Sequence, residues 1–143
     1  MTSVKGRRAY CQIGRREGGG MFAVQEIAFS TADLHDEQPD KVSVIDMQFR
    51  AFGRHACFYG QIETLRVTDH SPVRDMVAAS GRGRVLVVES GCGLTAGVMG
   101  DRIAGAAVRK GWSGAIIIGA VRDSHAINSL PFCVRALGTT ARR

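Results

Sequence analysis

Two short apolar runs, each fenced by glycines, constrain this chain more than anything else in it. Arg84 to Glu89 reads RVLVVE, and Trp112 to Gly119 reads WSGAIIIG. Runs of this length, rich in β-branched residues and lacking polar alternation, mark strands buried on both faces of a sheet. Between them lie a Gly91-Cys92-Gly93 turn and a stretch where Leu94, Val98, Ile103 and Ala107 recur at helical spacing, with a possible break at Gly100. After the second run, Ser124 to Leu130 suits a short helix and Phe132 to Leu137 a third strand. Strand, helix, strand, helix, strand forces the strands to run parallel, in a layered α/β core with a mainly parallel central sheet.

The upstream half fits the same plan. Ser30 and Thr31 are helix-capping types ahead of a short helix over Ala32 to Gln38, which Pro39 stops. Residues 57–67 (CFYGQIETLRV) are rich in β-formers and predict a strand. Ser71-Pro72 predicts an N-cap followed by proline at the first helical position, opening a helix to about Ala79. Residues 1–20 end in Glu-Gly-Gly-Gly, lack hydrophobic periodicity and are expected to be a disordered basic extension, which leaves 21–143 as a single domain.

Charge bears on partners. The net charge is +6, but five of the 19 Lys and Arg and one of the 13 acids fall in residues 1–20, and Arg142 and Arg143 add two more cations. Residues 21–141 are left with 12 of each sign and no net charge. A specific nucleic-acid surface would concentrate cations on the folded body instead. No apolar run approaches the roughly 18 residues that span a bilayer, and the N-terminus has no apolar signal core, so a cytoplasmic setting is expected. Cys11, Cys57, Cys92 and Cys133 form no C-x-x-C pair, so a structural zinc site is not expected. They read as buried free thiols, with Cys92 in its glycine-rich turn as the candidate for exposure.

Ligands of open α/β sheets gather beyond the carboxyl ends of the strands. One such end leads through the glycine-rich turn to Gly100-Asp101, and the next leads to Arg122-Asp123. One helix and one strand separate the two acids, so both can return to one edge. A helix starting at Gly100 would point the amides of Asp101, Arg102 and Ile103 outward, ready for a carboxylate. Arg122 supplies a fixed cation for a keto or enolate oxygen. Asp123 can bind a hard cation such as Mg²⁺, which keeps most of its waters, and Asp101 can hold one of those waters. The plainer readings are that Asp123 caps the helix after it and that Arg122-Asp123 is a solvated pair. Arg102, Arg109 and Lys110 also fit a solvated helix face. His35, His55 and His70 read as surface or packing residues, and His125 as a neighbour able to support Asp123. VLVVESGCGLTAG loosely fits the glycine loop of methyltransferases and dinucleotide enzymes, but the next strand ends in no convincing ribose-binding acid.

STADLHDEQPD, FRAFG, GRVLVVESGCGL, VMGD, GWSGAIIIGAVRD and RALGTTARR, collinear over about residues 29 to 143, together resemble the family of the regulator of ribonuclease E activity A. That family includes the class II 4-hydroxy-4-methyl-2-oxoglutarate aldolases. The resemblance implies a β/β/α core of the swivelling-domain type and a homotrimer. It implies either of two activities. One is a Mg²⁺- or Mn²⁺-dependent aldolase releasing pyruvate from 4-hydroxy-4-methyl-2-oxoglutarate and related 4-hydroxy-2-oxo acids, with oxaloacetate decarboxylation beside it. The other is restraint of ribonuclease E by direct binding. The family's aldolases carry Asp, twenty residues, then Arg-Asp, and this chain has Asp101, residues 102 to 121, then Arg122-Asp123. By position, Gly100, Asp101, Arg102 and Ile103 resemble the carboxylate-binding loop. Arg122 resembles the group on the keto and enolate oxygen, Asp123 the direct metal ligand, and Asp101 the catalytic acid holding metal-bound water. Family members continue for about forty residues past the position of Arg143 with further strands, so the resemblance also implies a shortened C-terminal end here.

Overall fold

A computed structural model describes Arg8–Cys11 and residues 30–143. The chain order is β1 (Arg8–Cys11), α1 (Thr31–Glu37), β2 (Arg50–Phe52), β3 (Phe58–Val67), α2 (Ser71–Ala78), β4 (Val85–Ser90), β5 (Gly97–Met99), α3 (Asp101–Arg109), β6 (Gly114–Val121), α4 (Ser124–Ile127) and β7 (Val134–Thr139). The strands form one seven-stranded sheet in the order β1-β3-β4-β6-β7-β2, with β5 added alongside β6. The pairs β3/β4, β4/β6, β5/β6 and β6/β7 are parallel, while β1/β3 and β2/β7 are antiparallel. The α/β, mainly parallel core expected from the two apolar runs is the one observed.

Helices α2, α3 and α4 pack on one face. Val73 and Val77 from α2, Ile103, Ala104 and Ala107 from α3, and Ile127 from α4 join Leu86, Val88, Ala115, Ile117, Val134 and Ala136 of the sheet in the main core. Burying such aliphatic side chains stabilises by roughly 1.5–3 kcal/mol each, which is why β4 and β6 are apolar almost throughout. On the opposite face Phe58, Val85, Ile116 and Cys133 form a smaller cluster, flanked by Phe49 and Val87.

Four local expectations change. The helical spacing from Leu94 does not make one helix. Leu94 is 54% exposed, Gly97–Met99 is a buried strand, and the helix begins only at Asp101. The periodicity was coincidental there because buried strand pairing to β6 outweighs a weak helical pattern interrupted by glycines. Ser71 is not the N-cap of α2. His70 holds that position, and the Asp69 carboxylate accepts from the Ser71 amide at 2.6 Å. Arg8–Cys11 pairs with β3, where the chain was expected to be irregular, and the rest of 1–20 lies outside the described residues. Finally, Cys133 is buried as expected and Cys92 is partly exposed in its turn, but Cys57 is only half-buried, and the Cys11 side chain lies outside the described part of the structure.

β6 changes partners along its length, and this positions the site. It pairs with β4 as far as Ile118 and with β5 from Ala120, with an irregular register against β7 between Ile117 and Ala120. Gly119 sits at the changeover. A Cβ there would lie 2.6 Å from Ser90 Cβ and 3.1 Å from the Gly93 carbonyl, so only glycine lets the turn after β4 cross so close.

Candidate active site at the carboxyl rim of the sheet

Strands β5 and β6 finish side by side. Gly97 pairs with Ala120 and Met99 with Val121, and the Arg122 amide donates to the Met99 carbonyl at 3.0 Å. Each strand then turns directly into a helix, through Gly100-Asp101 into α3 and through Arg122-Asp123 into α4. Parallel pairing thereby brings two segments twenty-two positions apart to one rim.

Gly100 is where they touch. Its backbone is extended (φ −118°, ψ −172°), so conformation alone does not demand glycine. Space does. A Cβ at Gly100 would stand 2.9 Å from Asp123 Oδ2 and 3.2 Å from Arg122 Cγ. The first backbone hydrogen bond within α3 runs from the Ala104 amide to the Gly100 carbonyl at 2.9 Å. The amides of Asp101, Arg102 and Ile103 therefore have no acceptor within the helix, and they crown its positive end.

Asp123 has an unusual backbone for a non-glycine residue, in the left-handed region at φ 53° and ψ 38°. Aspartate tolerates that region better than most residues. Although it occupies the N-cap of α4, its side chain makes no capping hydrogen bond. Its Oδ2 instead accepts from Arg122 Nε at 3.1 Å, with the two side chains 32% (Arg122) and 42% (Asp123) exposed. The capping explanation for Asp123 thus fails in this fold. The side chain of Asp101, half-exposed at the first position of α3, makes no hydrogen bond or ion pair with another described residue.

The acceptors at this rim are carboxylate oxygens. Among the described residues no group of three or more His, Cys, Asp or Glu is placed to enclose a metal ion. A carboxylate with one oxygen unbonded among the described residues, and a second acid next to the Gly100 contact, do not make a zinc site, but they fit a hydrated hard cation that takes one or two protein ligands. Mg²⁺ or Mn²⁺ meets that description, and Asp123 could hold such an ion directly with Asp101 reaching it through water. His125 is exposed on α4 with no bond to Asp123. Sequence reasoning missed the packing role of Gly97 against the Arg122 stem, where a Cβ would lie 3.1 Å from Arg122 Cβ. It also missed the chain that crosses this rim after β7. The glycine-rich turn after β4 leads into β5 and not into a helix, so it lacks the helix N-terminus that a nucleotide loop requires.

Residues 31–143 match the family model RraA-like, Aldolase/RraA. A Laribacter hongkongensis protein named as a candidate 4-hydroxy-4-methyl-2-oxoglutarate aldolase is 46% identical over 112 residues, which is 78% of this chain and 70% of that one. A Vibrio vulnificus protein of the same name is 37% identical over 111 residues, covering 77% and 69%. Among solved structures, the RNA-processing inhibitor RraA from Thermus thermophilis aligns with a TM-score of 0.76 at 34% identity, over 80% of this chain and 70% of that one. A Geobacillus kaustophilus structure called an S-adenosylmethionine:2-dimethylmenaquinone methyltransferase matches with the same TM-score and identity, covering 80% and 72%.

Proposed function

The chain belongs to the RraA-like (Aldolase/RraA) family, and from that premise we propose that it is a divalent-metal-dependent aldolase. It would cleave 4-hydroxy-4-methyl-2-oxoglutarate and related 4-hydroxy-2-oxo acids to pyruvate and a second 2-oxo acid, with oxaloacetate decarboxylation as a side activity. The observation that carries this reading is the approach of Gly100 to Asp123, where a Cβ would meet Oδ2 at 2.9 Å. It supports a site made jointly by both segments.

Bound at Asp123, Mg²⁺ or Mn²⁺ would supply Lewis acidity toward the keto oxygen. The protein's own groups divide the remaining work. The amides of Asp101, Arg102 and Ile103 at the head of α3 take the substrate carboxylate. Asp101 holds the water that removes the proton from the C4 hydroxyl. As the C3–C4 bond breaks, its electron pair moves into the pyruvate half, and the Arg122 guanidinium stabilises the enolate oxygen until C3 is protonated. Homotrimeric assembly and a cytoplasmic setting belong to the same proposal. No helix among the described residues is long and apolar enough to cross a membrane.

The test is pyruvate release from oxaloacetate and from 4-hydroxy-4-methyl-2-oxoglutarate, coupled to lactate dehydrogenase, with Mg²⁺ or Mn²⁺ and after chelation. Chelation and Asp123→Ala should each abolish most of the rate. Equal rates for the parent and Asp123→Ala exclude this site. A second reading, direct binding to a ribonuclease of the E type, is favoured by the likeness to the RNA-processing inhibitor. It requires a saturable, metal-independent complex, and calorimetry showing none at roughly tens of micromolar counts against it.

A further inference from the structure

A third segment reaches the same rim. Beyond β7, the Thr140 amide donates to the Val121 carbonyl at the end of β6, at 2.9 Å. The Arg142 amide donates to Thr140 Oγ1 at 3.3 Å, which tightens the turn. The Arg142 carbonyl then accepts from the Gly97 amide at the start of β5, at 2.9 Å. Arg143 ends with a terminal nitrogen 3.4 Å from His70 Nε2, at the head of α2. Residues 140–143 therefore cross from the end of β6 to the start of β5 as a basic strap. Gly97 lies between two arginines: Arg142 holds its amide, and Arg122 packs where its side chain would be, 3.1 Å from the Cβ position.

The three arginines at this rim differ in what they already hold. Arg122 is bonded to Asp123, and Arg143 is against His70. The Arg142 side chain is exposed and meets no acceptor among the described residues. A 2-oxo acid seated on the α3 amides and Arg122 has its first carboxylate and keto oxygen satisfied. If its chain carries a second carboxylate, the strap offers an exposed cation across Gly97 from Arg122, since Gly97 donates its amide to the Arg142 carbonyl and packs its other side against the Arg122 stem. We propose, building on the aldolase reading, that Arg142 binds the far carboxylate of a 2-oxo dicarboxylate and so determines specificity for diacids over monoacids. That carboxylate is retained in the second product of 4-hydroxy-4-methyl-2-oxoglutarate cleavage, so holding it does not oppose the reaction.

The experiment uses two unreactive probes of equal chain length, 2-oxoglutarate and 2-oxopentanoate, titrated calorimetrically into the full chain with saturating Mg²⁺. Arg142→Ala should weaken 2-oxoglutarate roughly ten-fold, a modest charge-assisted loss because the group is exposed, and leave 2-oxopentanoate within about two-fold. Arg142→Lys should recover part of the loss. Arg122→Ala should weaken both probes alike. An Arg142→Ala variant that weakens both equally, or neither, overturns the inference while leaving the aldolase reading intact. If Arg122→Ala leaves both affinities unchanged, the aldolase reading fails instead. A parent chain that binds neither probe overturns both.

Discussion

The two ends of the parallel sheet each carry an arginine–carboxylate pair, and the pairs are built for different purposes. At the amino ends of β4 and β6, Arg84 Nη1 meets Glu63 Oε2 at 2.6 Å, with side chains only 29% (Arg84) and 19% (Glu63) exposed. The other nitrogens of Arg84 donate to the carbonyls of Gly81 at 3.0 Å and Ser80 at 2.8 Å, and its guanidinium lies 5.0 Å from the Trp112 ring centre. Each of its three nitrogens is engaged. At the carboxyl ends, Arg122 makes one 3.1 Å bond to Asp123 and offers its terminal nitrogens to whatever arrives. A satisfied pair stabilises the fold, whereas a pair with unused donors and a free carboxylate oxygen has capacity left for a ligand.

The largest expected effect is a crossed response of these arginines. Arg122→Ala should lower kcat for pyruvate release by roughly 10²–10³, about 3–4 kcal/mol of transition-state stabilisation, if it acts on developing oxygen charge. Its melting temperature should barely move, because surface ion pairs contribute about 0–1 kcal/mol. Arg84→Ala should do the reverse. It strands the shielded Glu63 carboxylate and removes packing from Trp112, for a loss of about 2–3 kcal/mol in stability with kcat kept. Kinetics and thermal unfolding of both variants decide this, and an Arg84→Ala enzyme as slow as Arg122→Ala would erase the distinction.

Glycines sharpen the same contrast. Adding a Cβ at Gly81 would place it 2.5 Å from the Trp112 amide nitrogen and 2.6 Å from its Cα, which is backbone and cannot yield. Gly81→Ala should therefore cost about 1–3 kcal/mol of stability. At Gly100 the nearest atoms are the side chains of Asp123 and Arg122, which can swing aside. Gly100→Ala should cost under about 1 kcal/mol in stability yet displace the groups the proposed chemistry would use, so that kcat falls several-fold or more. Chemical unfolding alongside steady-state rates would show it. A Gly100→Ala chain with the parent's rate would mean that the contact is only packing.

Much of this contrast was legible in the sequence, for reasons that differ by residue. The apolar runs of β4 and β6 announce themselves because strands covered on both faces exclude polar side chains. The spacing from Asp101 to Arg122-Asp123 was visible for a related reason: one helix and one strand return the chain to the same rim. The short strands were not legible. Residues of β5 and β2 number three each, too few for any period to emerge, and their pairing is decided by partners elsewhere in the chain. The left-handed backbone of Asp123 and the route of residues 140–143 depend on tertiary contacts that leave no local pattern. Ser71 is a capping type, yet the cap of α2 falls one residue earlier, and the Ser71 amide donates to the acid two residues before it.

That acid supplies the smallest and most discriminating test. Asp69 and Asp123 both follow a strand at the carboxyl rim and both precede a helix, but Asp69 accepts from the Ser71 amide at 2.6 Å while Asp123 does not cap at all. The bond to the Ser71 backbone, aided by the Ser71 side chain and opposed slightly by desolvation, holds the Asp69 carboxyl below its ordinary 3.8. A depressed carboxyl stabilises the fold at pH above its unfolded value, and that contribution fades as pH falls through the lower, folded value. Asp69 is fully exposed, so the effect is small. Between about pH 5 and about pH 3, Asp69→Asn should lose slightly less melting temperature than the parent, because its cap no longer titrates. An identical decline in both chains would show that the α2 cap adds no stability of its own, and Asp69 would then resemble Asp123 in leaving its helix to the packing of Val73 and Val77.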